Sequence, residues 1–158
     1  MASPRDIRKL ALLALYQFDS RGLDDTQSIH ESLSEVHTLE EEGLVFADLK
    51  TEFTENQRQK AFDLARHAYE HREIADKEFN ELSTDWTVSR MPIVDRSILR
   101  MAHYEMTRIA DVKPKAVVNE AVELAKAFST ENSPGFVNGL LDKVLKRVLA
   151  KTNAAATE

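Results

Sequence analysis

Cysteine is missing altogether from the 158 residues of this chain, and glycine and proline occur only four times each. The first absence excludes disulfides, thiolate metal sites and cysteine nucleophiles. The second leaves few turn residues for a protein of many short strands, and alternating apolar–polar runs are hard to find. No uninterrupted apolar stretch approaches membrane-spanning length, and the opening Met-Ala-Ser-Pro-Arg-Asp has no apolar run behind a basic cluster, as a secretion signal would. There is no glycine-rich phosphate loop and no G-x-S-x-G elbow. Together these absences predict a cytoplasmic, all-α protein that calls for no cofactor and is not an enzyme.

What the chain does have is charge and helical periodicity. Its net charge is −6, unevenly placed: residues 1–90 carry 11 Lys and Arg against 19 Asp and Glu, residues 91–158 carry 10 against 8. Most of the acid in residues 1–90 lies between Asp19 and Asp63, so Arg5, Arg8 and Lys9 stand nearly clear of it. This balance predicts weak non-specific affinity for nucleic acid without excluding a local basic site.

Apolar residues recur three and four apart through most of the chain, which predicts about seven helices. Ser3-Pro4 opens the first, running to about Ser20 with Ile7, Leu10, Ala11, Ala14, Leu15 and Phe18 inward, and Arg21-Gly22 ends it. A second spans Thr26 to about Val36. Leu44, Val45, Phe46, Leu49 and Phe53 form a short apolar segment after an acidic link. From Glu55 a long pattern through Phe62, Ala65, Tyr69, Ile74, Phe79 and Leu82 changes phase near His71, which predicts two helices meeting at a bend. Pro92, Pro114 and Ser133-Pro134 open three more, the last burying Val137, Leu140, Leu141, Val144 and Val148. The expected organisation is one helical domain over residues 1–150, in two tightly packed bundle halves of roughly 1–70 and 71–150. A polar, alanine-rich tail at 151–158 is expected to fray.

Candidate sites follow from residue type and spacing. Arg5, Arg8 and Lys9 lie three and four apart on one face of the first helix, extended by Leu12 and Tyr16, and suit contacts to phosphate. Asn132, Ser133 and Phe136 surround the start of the last helix, where free N–H groups favour an anion and an aromatic ring can stack on an unpaired base. Lys143 follows two turns later. His67-Ala-Tyr-Glu70-His71 matches the H-x-x-E-H pattern of zinc peptidases, but no third ligand is evident and its charged neighbours read as a solvated helix face. No metal is therefore expected. Arg100, Glu105 and Glu120 read as a partly buried ion-paired set, Gly139 as a point of close helix approach, and Trp86 as a core anchor between the halves.

Several motifs carry a family resemblance. Arg8-Lys9-Leu-Ala-Leu-Leu-Ala-Leu-Tyr16-Gln17, Trp86, Val94-Asp95-Arg96-Ser97-Ile98-Leu99-Arg100 with Tyr104-Glu105, Val118-Asn119-Glu120-Ala-Val-Glu-Leu-Ala-Lys126 and Phe136-Val-Asn-Gly-Leu-Leu-Asp-Lys143 occur in the order seen in the NusB family of bacterial transcription antitermination factors. The likeness covers nearly the whole chain and is weakest between Gly22 and Thr54. It implies two stacked helical halves and binding of boxA RNA in nascent ribosomal RNA leaders. The implied partners are NusE, a small-subunit ribosomal protein, and indirectly the RNA polymerase elongation complex, with no membrane. In the family the first helix carries an arginine-rich motif; Arg5 and Arg8 match it, whereas Pro4 and Asp6 depart from it. The RNA-binding residues then expected are Arg5, Arg8, Lys9, Tyr16, Asn132, Phe136 and Lys143. NusB-like domains also precede the catalytic part of ribosomal RNA cytosine methyltransferases, an alternative that requires this chain to be a fragment. A protein-only adaptor is the third reading.

Overall fold

The computed structural model describes residues 2–34, 52–84 and 86–157. Its regular structure is helical throughout the described residues: α1 (Pro4–Arg21), α2 (Thr26–Ser32), α3 (Glu55–Glu70), α4 (Arg72–Leu82), α5 (Ile93–Arg108), α6 (Pro114–Phe128) and α7 (Ser133–Thr157). Short 3₁₀ turns occupy Gly22–Asp25 and Val88–Arg90. The all-α expectation holds, with seven α-helices among the described residues. Val36 and the apolar residues Leu44, Val45, Phe46 and Leu49 lie outside the described residues. No helix among the described residues is long and apolar enough to cross a membrane. The chain divides into two compact units, Met1–Glu70 and His71–Glu158.

In the first unit, α1 begins on a reciprocal cap. The Ser3 hydroxyl accepts the Asp6 N–H at 3.2 Å while the Ser3 N–H donates to the Asp6 carboxylate at 2.9 Å. Pro4 presets the first turn, and two orphan donors are satisfied at once. The helix ends at Gly22, whose φ of +70° lies in the left-handed region that costs glycine least. Helix α1 packs along α3, with Phe18 stacked on Tyr69 at 5.5 Å and tilted against Phe62 at 5.9 Å. Every residue from Leu10 to Leu15 is buried, so the apolar stripe is wider than its periodicity predicts. Leu12, expected on the basic face, is fully buried. Gln17 ties α1 to α2 by donating to the Ser32 hydroxyl at 2.9 Å. Thr54 caps α3 in a second reciprocal pair with Gln57.

The second unit is α4 to α7, with α7 packed on both α5 and α6. The chain breaks at His71, where the phase change predicts a bend, and α4 then turns Ala75 and Phe79 inward. That rotation leaves Ile74, expected inside, 54% exposed. Arg100 reaches the Asp76 carboxylate through two parallel bonds of 3.0 and 2.8 Å, joining α5 to α4. Asp76 is a partner the sequence reading did not supply, since it looked to Glu105 and Glu120. A Cβ at Gly139 would meet nothing within 4 Å, so this glycine does not mark a close helix approach. Trp86 is 50% exposed and is not a core anchor. Finally, α7 continues to Thr157, past the boundary drawn at Lys151; alanine is the best helix former, and Asn153-Ala-Ala-Ala156 extends the helix.

Candidate nucleic-acid interface

The amino-terminal candidates all sit on α1 in the first unit. Arg5 is exposed, Arg8 and Lys9 are half-buried, and Tyr16 is half-buried two turns further on. Helical spacing keeps Arg5, Arg8 and Lys9 on adjoining turns of one face. Pro4 and Asp6, the two departures from an arginine-rich start, are the residues that begin the helix.

The carboxyl-terminal candidates belong to the second unit, and a carboxylate organises them. Asp95, in the first turn of α5, is buried. One of its oxygens accepts a bond from the Ser129 hydroxyl, the other accepts from Ser133 at 2.9 Å. Thr130 and Ser133 are hydroxyl-to-hydroxyl neighbours at 2.8 Å. A hydroxyl has one proton, and those of Ser129 and Ser133 go to Asp95, so Thr130 is the donor to Ser133. The end of α6 and the start of α7 are thus clasped onto α5. Ser133 serves this clasp, and Asn132 takes the cap position of α7, its carbonyl accepting the Phe136 N–H at 3.3 Å. The clasp brings Asn132 and Phe136 to one cleft of about 370 Å³, lined also by Trp86, Met91, Pro92, Asp95, Thr130 and Ser133. Lys143 lies two helical turns away with its ammonium donating to the Leu82 carbonyl at 3.1 Å, where it closes the end of α4.

A second polar chain runs through the same unit. His71 Nε2 is 3.0 Å from His103 Nδ1, His103 Nε2 is 2.9 Å from Glu78, and the other Glu78 oxygen accepts from Arg147 at 3.1 Å. Burial works against the Glu78 charge, but bonds from His103 and Arg147 outweigh it and hold the carboxyl below its ordinary value. An ionised Glu78 only accepts, so His103 carries its proton on Nε2, its Nδ1 accepts, and His71 donates from Nε2. Burial, with His103 and Arg108 nearby, pushes His71 down to about 4. Burial likewise lowers His103, against the opposing pull of Glu78. His71 is therefore a buried neutral donor. Its neighbours Glu70 and Glu73 are exposed, as a solvated face requires, but His71 itself turns inward and its Nε2 faces His103. Metal analysis of protein prepared without a histidine tag is expected to find no bound zinc; a stoichiometric ion lost in His71→Ala would contradict this.

Two residues of the cleft escaped the sequence reading. For Asp95 the motif alone indicates no role. Its signal was a carboxylate on the same helical face as Ile98, Leu99 and Ala102, with hydroxyls at 129, 130 and 133 to meet it. Trp86 stands among Ser83, Thr84, Asp85 and Thr87, a polar stretch without helical period, which points to an exposed ring.

These features define an all-helical protein whose second unit carries a cleft lined by aromatic and polar side chains. The comparisons narrow the class: the NusB family model matches residues 5–146, and this chain belongs to that family. It is 39% identical to the transcription antitermination protein NusB of Desulforapulum autotrophicum, over 100% of both chains. Among solved structures it is similar to T. maritima NusB, with a TM-score of 0.69 and 30% identity over 92% of this chain and 93% of that one. It is also similar to a chain in a crystal structure of the antitermination factors NusB and NusE in complex with dsRNA, with a TM-score of 0.66 and 26% identity over 90% and 96%.

Proposed function

We propose that this protein is a transcription antitermination factor of the cytoplasm. It binds boxA-type RNA of nascent ribosomal transcripts together with NusE and so helps the polymerase pass early terminators, making and breaking no bond itself. The observation that carries the RNA reading is the Asp95 clasp, which presents an amide and a half-buried aromatic ring at one cleft. Polar groups and an aromatic face together suit unpaired bases, which are read by stacking and by hydrogen bonds on their edges. Arg5, Arg8 and Lys9 supply cations for phosphate, with Tyr16 and Lys143 as flanking contacts. Relatives matched over their full length carry the antitermination name, which favours this reading over a methyltransferase fragment.

The test compares Arg8→Ala with Lys146→Ala. Lys146 has 77% of its side chain in solvent beside Asp142, which makes it a suitable control of the same charge. Arg8→Ala should cost about 1–2 kcal/mol of RNA binding in the presence of NusE, the scale of one charge-assisted contact. Lys146→Ala should change little. Equal losses would replace a site with diffuse electrostatics, and no loss in either would leave a protein-only adaptor.

A further inference from the structure

We infer that Trp86 forms the outer wall of a slot for a single unpaired nucleobase, opposite Phe136 and above the Asp95 clasp. This inference rests on the RNA-binding reading above and deepens it.

Trp86 is the only tryptophan in the chain, and half of its surface faces water. Its main chain is nonetheless anchored. The Trp86 N–H donates to the Ser83 hydroxyl at 3.3 Å, and two residues later the Val88 N–H donates to the Asn80 side chain at 2.9 Å. The backbone that carries this large apolar face is therefore anchored to the end of α4 before any ligand arrives, which lowers part of the ordering cost of binding.

The lining selects the occupant. Trp86, Pro92, the buried Met91 and the half-buried Phe136 give an apolar lining, and Thr130 and Asn132 add exposed polar groups. Flat π-faces bounded by a hydrogen-bonding edge are the shape of a nucleobase, whereas an aliphatic side chain would leave the polar groups unused. Asp95 lines the same cleft, and its negative charge disfavours a phosphate there. The base enters and the backbone stays outside. A volume of about 370 Å³ lies at the low end of the range for pockets that hold one small molecule.

The experiment uses full-length protein, NusE and a fluorescently labelled single-stranded boxA dodecamer. RNA affinity is read by anisotropy and the slot by the intrinsic emission of Trp86, with Trp86→Phe, which has no tryptophan, as the optical blank. Wild-type emission should be quenched as RNA is added. Trp86→Ala should weaken binding about 10-fold, equivalent to about 1.4 kcal/mol, while Trp86→Phe stays within about 3-fold. Melting temperatures should stay near wild type, because the ring is half exposed. Unchanged RNA affinity in Trp86→Ala, without quenching in the wild type, would overturn the slot and leave the RNA reading intact. Absence of RNA binding by the wild type would overturn both. Quenching on addition of NusE alone, with no further change on adding RNA, would assign the cleft to protein.

Discussion

Replacing Asp95 by alanine should cost about 2–4 kcal/mol of stability and at least ten-fold in RNA affinity. Its two oxygens accept hydroxyls that have crossed from the end of α6 and the start of α7. Hydrogen bonds to a charged group are each worth roughly 1.5–3 kcal/mol, offset here by relief from burying the carboxylate. Alanine leaves the Ser129 and Ser133 hydroxyls without their acceptor and releases the loop that carries Asn132. Asp95→Asn should fall between, since the amide oxygen still accepts one hydroxyl and its nitrogen must find an acceptor in the other. Denaturant unfolding and RNA titration with NusE read the two effects separately. Wild-type stability in Asp95→Ala would mean the clasp holds nothing, and wild-type RNA affinity in that folded variant would separate the clasp from the interface.

The second large effect is set by acid. His71 is neutral in the folded protein with its pKa near 4, while in the unfolded chain it titrates near 6.5. As pH falls below about 6.5 the unfolded state takes up the proton first, so stability declines from there down to about 4. The full displacement corresponds to about 3 kcal/mol. His103, lowered in the same direction, adds to the loss in the same window. Glu78, held low in the fold, adds a further loss only as pH falls through the ordinary carboxylate range. Urea midpoints measured at intervals between pH 7.5 and 4.5 should fall steadily below 6.5. His71→Gln retains a donor for His103 Nδ1 but cannot charge, and its profile should be flatter. A flat wild-type profile, or an unaltered slope in His71→Gln, would contradict the neutral-histidine account.

The helices were legible because their stop and start signals are local. Ser3-Pro4, Gly22, Pro114 and the phase shift near His71 each place an element boundary within a residue or two of the observed one. Most of the core followed from period alone, as Leu10, Phe18, Phe62, Phe79, Ile98 and Leu141 illustrate. Orientation after a break was not legible. The residue count across His71 predicts Ile74 inward, but the bend rotates α4 and gives that place to Ala75. His71 itself was read from its charged neighbours in sequence, while its partners come from 32 residues away. Trp86 failed for a related reason: size argues for burial, and only the polar, aperiodic segment around it argues otherwise. Of the cleft, Asn132 and Phe136 were legible from the start of α7. Asp95 and Trp86 were not, because their roles depend on packing α5 against the α6–α7 connection.

The most direct test of the account is the affinity of the purified protein for a boxA dodecamer with and without NusE. The proposed RNA surface holds few cations and the chain is acidic overall, so the free protein should bind weakly, with a shallow dependence on salt. Affinity should rise markedly when NusE is added, and a scrambled dodecamer should gain much less. Tight binding of arbitrary RNA by the free protein, or no gain from NusE, would contradict it.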